Sequence, residues 1–93
     1  MKEIELFYLE NCPYCRNAHK AIEELLEENP AFRSIQIRRI EESREPEMTN
    51  GRDYYYVPTV FYNGKKLYEA KPGQVFAEIK TNLRRSFEEV LNS

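Results

Sequence analysis

Between residues 9 and 15 the chain changes its hydrophobic period, and this switch constrains the fold more than any other feature. "IELFYL" (Ile4 to Leu9) is short and apolar, with β-branched and aromatic residues, and reads as a buried strand. From Pro13 onward Cys15, Ala18, Ile22 and Leu25 recur at intervals of three and four, with Leu26 alongside. That spacing predicts an amphipathic helix, which Pro30 must end. Both cysteines of the chain, Cys12 and Cys15, lie at the switch, in "CPYC". The spacing alone leaves three roles open: a redox pair, half of a metal site, or ordinary buried residues.

The rest of the chain supplies partners for that strand and helix. "RSIQIRRI" (Arg33 to Ile40) alternates Ile35 and Ile37 with polar residues, which predicts a second strand. "EESREPEMTNG" predicts a short helix, with Ser43 as its cap, Pro46 in its first turn and Asn50-Gly51 as its stop. "TVFY" (Thr59 to Tyr62), the turn signal Asn63-Gly64, and Lys65 to Ala70 form a hairpin. Behind Gly73, the residues Phe76, Ile79, Leu83, Phe87 and Val90 share one helical face. The order β-α-β-α-β-β-α predicts a four-stranded mixed sheet flanked by helices. Its first two strands are parallel through a right-handed crossover, and its last two antiparallel. No linker, repeat or low-complexity segment divides it, so residues 1–93 read as one domain.

Composition narrows the class. Of the 93 residues, 41% are hydrophobic and 32% charged, as in a globular protein, with a net charge of −2. That balance gives no basic surplus for nucleic acid, and no apolar run is long enough for a membrane span. The glutamates of "EIELFYL" spoil a secretory signal, so the expected location is cytoplasmic. In a reducing compartment cysteines serve metals or redox chemistry more often than structural bridges. With no evident apolar patch, a monomer is expected.

The junction itself has a physical consequence. The first N–H groups of a helix have no internal partner and carry the positive end of its dipole, so a thiolate at Cys12 is stabilised. Pro13 suits the first turn, where its missing N–H costs nothing. Cys15, one turn in and beside Ala18 and Ile22, should be the less exposed thiol. Arg16, His19 and Lys20 precede Glu23, Glu24, Glu27 and Glu28 along this helix, the reverse of what the dipole favours. A solvated face with a Lys20–Glu24 pair is one explanation; positive potential from Arg16 near the Cys12 thiolate is the other. Far along the chain, "YYYVPT" opens the third strand, in a loop expected to face the start of the first helix. Val57-Pro58 is expected to be cis, leaving the backbone of Val57 free to pair with a substrate chain or glutathione beside Cys12.

"CPYC" near the N-terminus, "VPTVF" downstream and a glycine-led last helix together resemble the glutaredoxin branch of the thioredoxin-like superfamily, over essentially the whole chain. The resemblance implies a thioredoxin fold and a thiol–disulfide oxidoreductase. Cys12 would be the attacking thiol, Cys15 the resolving thiol and Pro58 the cis-proline. Pro13, Tyr14, Val57 and Pro58 would line the substrate site, with Tyr14 at its rim, and Arg16 would stabilise the thiolate. It implies no bound cofactor; the co-substrate is glutathione or the donor is a thioredoxin-reductase-type enzyme, and the partners are disulfide-bearing proteins or glutathione. Glutaredoxins usually carry a basic residue shortly before the first cysteine and a Gly-Gly-acid segment before the last helix, both for glutathione. Here those places read "YLEN", with Glu10, and "KPGQ". "FYNGKKLYEAKPG" resembles thioredoxins instead, although thioredoxins have Cys-Gly-Pro-Cys, with a buried acid on the strand leading to it, where this chain has Tyr14 in the motif and Leu6 on that strand.

The competing reading is a metal or iron–sulfur module using Cys12 and Cys15. His19 extends them to three ligands, but a structural zinc site takes four. Metal residues are therefore expected to be none. Of Tyr54, Tyr55 and Tyr56, one is expected in the substrate groove and the others in core or surface. His19, Arg84, Arg85 and the run "ESREPE" are expected to be solvated.

Overall fold

The computed structural model describes residues 2–93. Strand β1 (Glu3–Tyr8) runs into helix α1 (Pro13–Glu28), a 3-10 turn (Pro30–Ser34) and strand β2 (Gln36–Glu41). A second 3-10 turn (Pro46–Thr49) precedes strands β3 (Thr59–Tyr62) and β4 (Lys65–Glu69) and helix α2 (Phe76–Leu91). The four strands form one sheet in the order β2-β1-β3-β4. β1 pairs in parallel with β2 and antiparallel with β3, and β3 with β4. This is the predicted mixed sheet.

Alternation along β1 divides the core. Ile4 and Leu6, both fully buried, face α1 and α2 together with Val60 and Tyr68. Ala18, Ala21, Ile22 and Leu25 from α1 meet Ile79, Leu83, Phe87 and Val90 from α2 in the same cluster. Phe7 points the other way, against Ile40 and Phe61, with Met48, Tyr54 and Val57 packed over them. The predicted helix for this second face is only the Pro46–Thr49 turn. Ser43 does not cap it; its amide and hydroxyl both donate to the Glu41 carboxylate at 2.6 Å, and the turn starts two residues after Arg44 with no side-chain cap. Arg52 completes the cover. Its guanidinium lies about 5 Å from the Phe7 and Phe61 rings and holds Glu5 through two hydrogen bonds of 2.7 and 3.1 Å.

The inverted charge order on α1 has an explanation outside the helix. Lys80 of α2 donates to Glu24 at 2.8 Å and to Glu28 at 2.6 Å, so the acidic end of α1 faces a lysine from its packing partner. The Lys20–Glu24 pair, one of the two explanations open from the sequence, does not form; Lys20 lies over the Phe76 ring, 5.4 Å from its centroid. The hairpin turn matches its chemistry, with Asn63 at φ 50° and Gly64 at φ 80°, both in the left-handed region.

Candidate active site

β1 ends at Tyr8, and Cys12 closes the connection as the N-cap of α1, in extended conformation. A cap residue normally offers an oxygen to the orphan amides of the first turn. Here sulfur takes that place: the Cys15 amide donates to Cys12 Sγ at 3.3 Å. Pro13 occupies the first turn. Both cysteines are free thiols. Cys12 is partly exposed, whereas Cys15 is 1% exposed and belongs to the apolar face of the helix.

Burial pushes the Cys15 thiol up to about 12, helped by its hydrogen bond with Cys12 and by the negative charge of Glu42. Cys15 therefore stays protonated at neutral pH. Brief treatment of the reduced, folded protein with iodoacetamide at pH 7.5 should add one adduct, at Cys12, and unfolding in denaturant should expose the second. Equal labelling of both thiols in the folded state would contradict this difference in burial.

The downstream segment arrives as expected. The Val57-Pro58 peptide is cis, Pro58 is buried, and the Val57 carbonyl lies 3.8 Å from Cys12 Sγ. Four of the residues singled out from the sequence, Cys12, Cys15, Val57 and Pro58, thus meet where α1 begins. Arg16 is exposed one turn in, and among the described residues its guanidinium has no hydrogen-bond or ion-pair partner. Tyr14 is not a free rim residue. It is half-buried against the main core, and its hydroxyl accepts from the Gly73 amide at 2.7 Å, tying the first turn of α1 to the turn before α2. His19 is half-buried too. It stands edge-on to Tyr8 and accepts from Arg39 Nε at 3.2 Å; burial, then the charge of Arg39, pushes its pKa down. Among the described residues no group of three His, Cys, Asp or Glu side chains is placed to share an ion.

Several contributors were not foreseen. Glu41, 6% exposed at the end of β2, accepts from the amides of Glu10 and Ser43 and fixes the loop before Cys12. Its hydrogen bond with the Ser43 hydroxyl, against the opposing effect of burial, holds its carboxyl below the usual range. Tyr54 packs on Phe7 and Phe61 and donates to Glu42, whose carboxylate bears on Cys15. Tyr55 and Tyr56 are both exposed and line a shallow groove with Glu69, Ala70 and Lys71. Glu69 accepts from the amides of Tyr55 and Tyr56 at 2.7 and 2.9 Å. Glu41 and Glu69 read from the sequence as ordinary solvent-facing strand charges, because the Glu10, Tyr55 and Tyr56 amides that hold them come from loops 13 to 31 residues away.

A dithiol at a helix start, one thiol accessible and one buried, facing a cis-proline loop at the end of a four-stranded mixed sheet, defines a thioredoxin-like site. Comparison with known proteins gives the same class: residues 2–78 match the thioredoxin-domain family, and the chain belongs to it. Among solved structures it is similar to mitochondrial thioredoxin 3 from Saccharomyces cerevisiae, with a TM-score of 0.67 and 14% identity over 95% of this chain and 77% of that one. It is similar also to thioredoxin O1 from Arabidopsis thaliana, with a TM-score of 0.65 and 20% identity over 97% and 78% of the two chains. Thioredoxin 1 from Thermosipho africanus matches over 98% and 99% of the two chains, with a TM-score of 0.60 and 19% identity. None of the curated proteins matches it significantly in sequence.

Proposed function

We propose that this protein is a dithiol–disulfide oxidoreductase in which Cys12 attacks and Cys15 resolves. The observation that carries the reading is the asymmetry of the pair: Cys12 sulfur at the helix start, accepting the Cys15 amide at 3.3 Å, and Cys15 shut inside the core face. The Cys12 thiolate attacks one sulfur of a substrate disulfide; a Cys12–substrate disulfide forms and the other substrate sulfur leaves as a thiolate, which takes up a proton. Cys15 then gives up its proton and attacks Cys12 Sγ, releasing the second substrate sulfur. The substrate gains two electrons and two protons, and the protein is left with a Cys12–Cys15 disulfide.

Val57, beside Cys12, offers a backbone edge to an extended substrate, and the exposed apolar residues Leu9, Tyr55, Tyr56 and Val75 all lie in loops adjoining the site. These features favour disulfide-bearing proteins as substrates. The glutaredoxin-like motif "CPYC" keeps glutathione in view as co-substrate, and "KPGQ" favours a reductase-type donor. A reducing compartment such as the cytoplasm suits either. The test is a single turnover: reduced protein mixed with a disulfide-bonded protein such as insulin, quenched and read by intact mass. Oxidation of Cys12 and Cys15 with matching release of substrate thiols supports the reading; a dithiol that stays reduced while the substrate stays bonded overturns it.

A further inference from the structure

The groove beside the cis-proline contains an anion site that the protein fills itself. Two successive backbone amides, of Tyr55 and Tyr56, converge on one oxygen of Glu69 at 2.7 and 2.9 Å. Consecutive N–H groups converging in this way form a concavity suited to an anion. Lys66 completes it, with Nζ 2.7 Å from the other carboxylate oxygen and 3.0 Å from the Asp53 carbonyl. Two amides and an ammonium on a single carboxylate make a charge-assisted set. The Glu69 side chain is 17% exposed and that of Lys66 35%, so the cluster is at the surface and within reach of a ligand.

Its location gives it a bearing on the chemistry. Tyr56 directly precedes Val57, whose carbonyl is 3.8 Å from Cys12 Sγ. The groove of about 210 Å³ lined by Tyr55, Tyr56, Glu69, Ala70 and Lys71 adjoins the cis-proline, whose carbonyl accepts from the Ala70 amide at 2.9 Å. A substrate paired with Val57 would run past this corner. If the corner were vacant, a carboxylate on the substrate would find two amides and a lysine there. Occupied, it presents a tyrosine-walled surface whose donors are already spent on an internal anion.

We propose that Glu69 is a specificity-determining residue: it occupies in cis a carboxylate site on the loop that carries Val57 to Cys12, and so turns the dithiol away from anionic low-molecular-weight disulfides, toward disulfides flanked by uncharged groups. Glu69 acts through the amides of Tyr55 and Tyr56 and through Lys66, not on the reacting sulfurs. The inference rests on the dithiol reading above and adds a substrate class to it.

The test compares two small disulfides of unlike charge in single turnovers of the reduced protein, the anionic glutathione disulfide and the neutral bis(2-hydroxyethyl) disulfide. Glu69→Ala vacates the corner and frees Lys66. Its ratio of anionic to neutral rate should rise about tenfold over the unmodified protein, the effect of gaining one charge contact near the surface. Glu69→Gln removes the charge but keeps an acceptor for both amides, and should raise the ratio partway. Adding Lys66→Met to Glu69→Ala should cancel most of the gain, and raising salt should shrink it. A ratio within about twofold of the unmodified protein in both Glu69 variants overturns the proposal. So does a parallel loss of both rates, which would leave Glu69 only the task of holding the loop. An unmodified protein inert toward both disulfides would overturn the dithiol reading and this inference with it.

Discussion

Replacing Cys12 by serine is expected to abolish disulfide reduction, whereas replacing Cys15 by serine is expected to stop the reaction halfway. The two outcomes follow from the different places of the sulfurs. Cys12 is the accessible one, at the helix start and opposite the Val57 carbonyl. Without it the remaining thiol is buried and protonated, with its pKa pushed up to about 12. Enzymes typically accelerate their reactions by about a millionfold or more, so a fall on the order of a thousandfold or greater in the Cys12→Ser rate is expected. In Cys15→Ser the first exchange still proceeds, but no second sulfur displaces the substrate. A mixed disulfide between Cys12 and the substrate should accumulate and be visible as a covalent adduct on non-reducing gels. An adduct on Cys15 in the Cys12→Ser protein, at a comparable rate, would reverse the assigned roles.

The second large effect concerns the scaffold that fixes this geometry. Phe87 is fully buried between α2 and the sheet, with its ring edge-on to Phe32 at 5.3 Å. Truncation to alanine removes most of an aromatic side chain and leaves a cavity, at a cost of about 3–5 kcal/mol. Against a total stability of about 5–15 kcal/mol for a domain, that is a large share. At about 4–8 °C per kcal/mol for a chain of this length, the thermal midpoint of Phe87→Ala should fall by more than about 12 °C. Arg85→Ala, at an exposed position on the same helix, should leave it nearly unchanged. Similar midpoints for the two variants, followed by circular dichroism, would mean that α2 is not packed as described.

Local signals account for most of what could be read in advance. The period change at Pro13 located β1 and α1 because β1 is an apolar strand buried on both faces whereas α1 buries one, and the Asn63-Gly64 turn located the hairpin because its φ angles demand those residues. The dithiol and the Val57-Pro58 segment carry their own short motifs. The helix expected around Pro46 shrank to one turn because the second face of the sheet is covered another way. Arg52 lies over Phe7 and Phe61, Tyr54 packs on the same two rings, and Glu41 takes up the would-be cap Ser43.

The polar frame of the site could not be read at all from neighbouring residues. Lys80 on Glu24, Tyr14 on Gly73 and Glu69 on Tyr55 and Tyr56 join segments 13 to 59 positions apart. Each pairing depends on how the sheet brings loops together, which hydrophobic period does not encode. One of these contacts, Glu69 on the amides of Tyr55 and Tyr56, is the one proposed above to set specificity.

The central claim is that Cys12 and Cys15 interconvert as one two-electron couple. Equilibrating the protein in buffers of graded glutathione redox ratio, quenching with acid and reading intact mass tests this directly. The expected result is a single transition in which the protein loses two hydrogens and forms the Cys12–Cys15 disulfide. Its midpoint should fall in the range spanned by thioredoxin, about −270 mV, and the glutaredoxins, about −200 to −230 mV, with little glutathione adduct. A protein that forms no Cys12–Cys15 disulfide at any ratio would contradict the account.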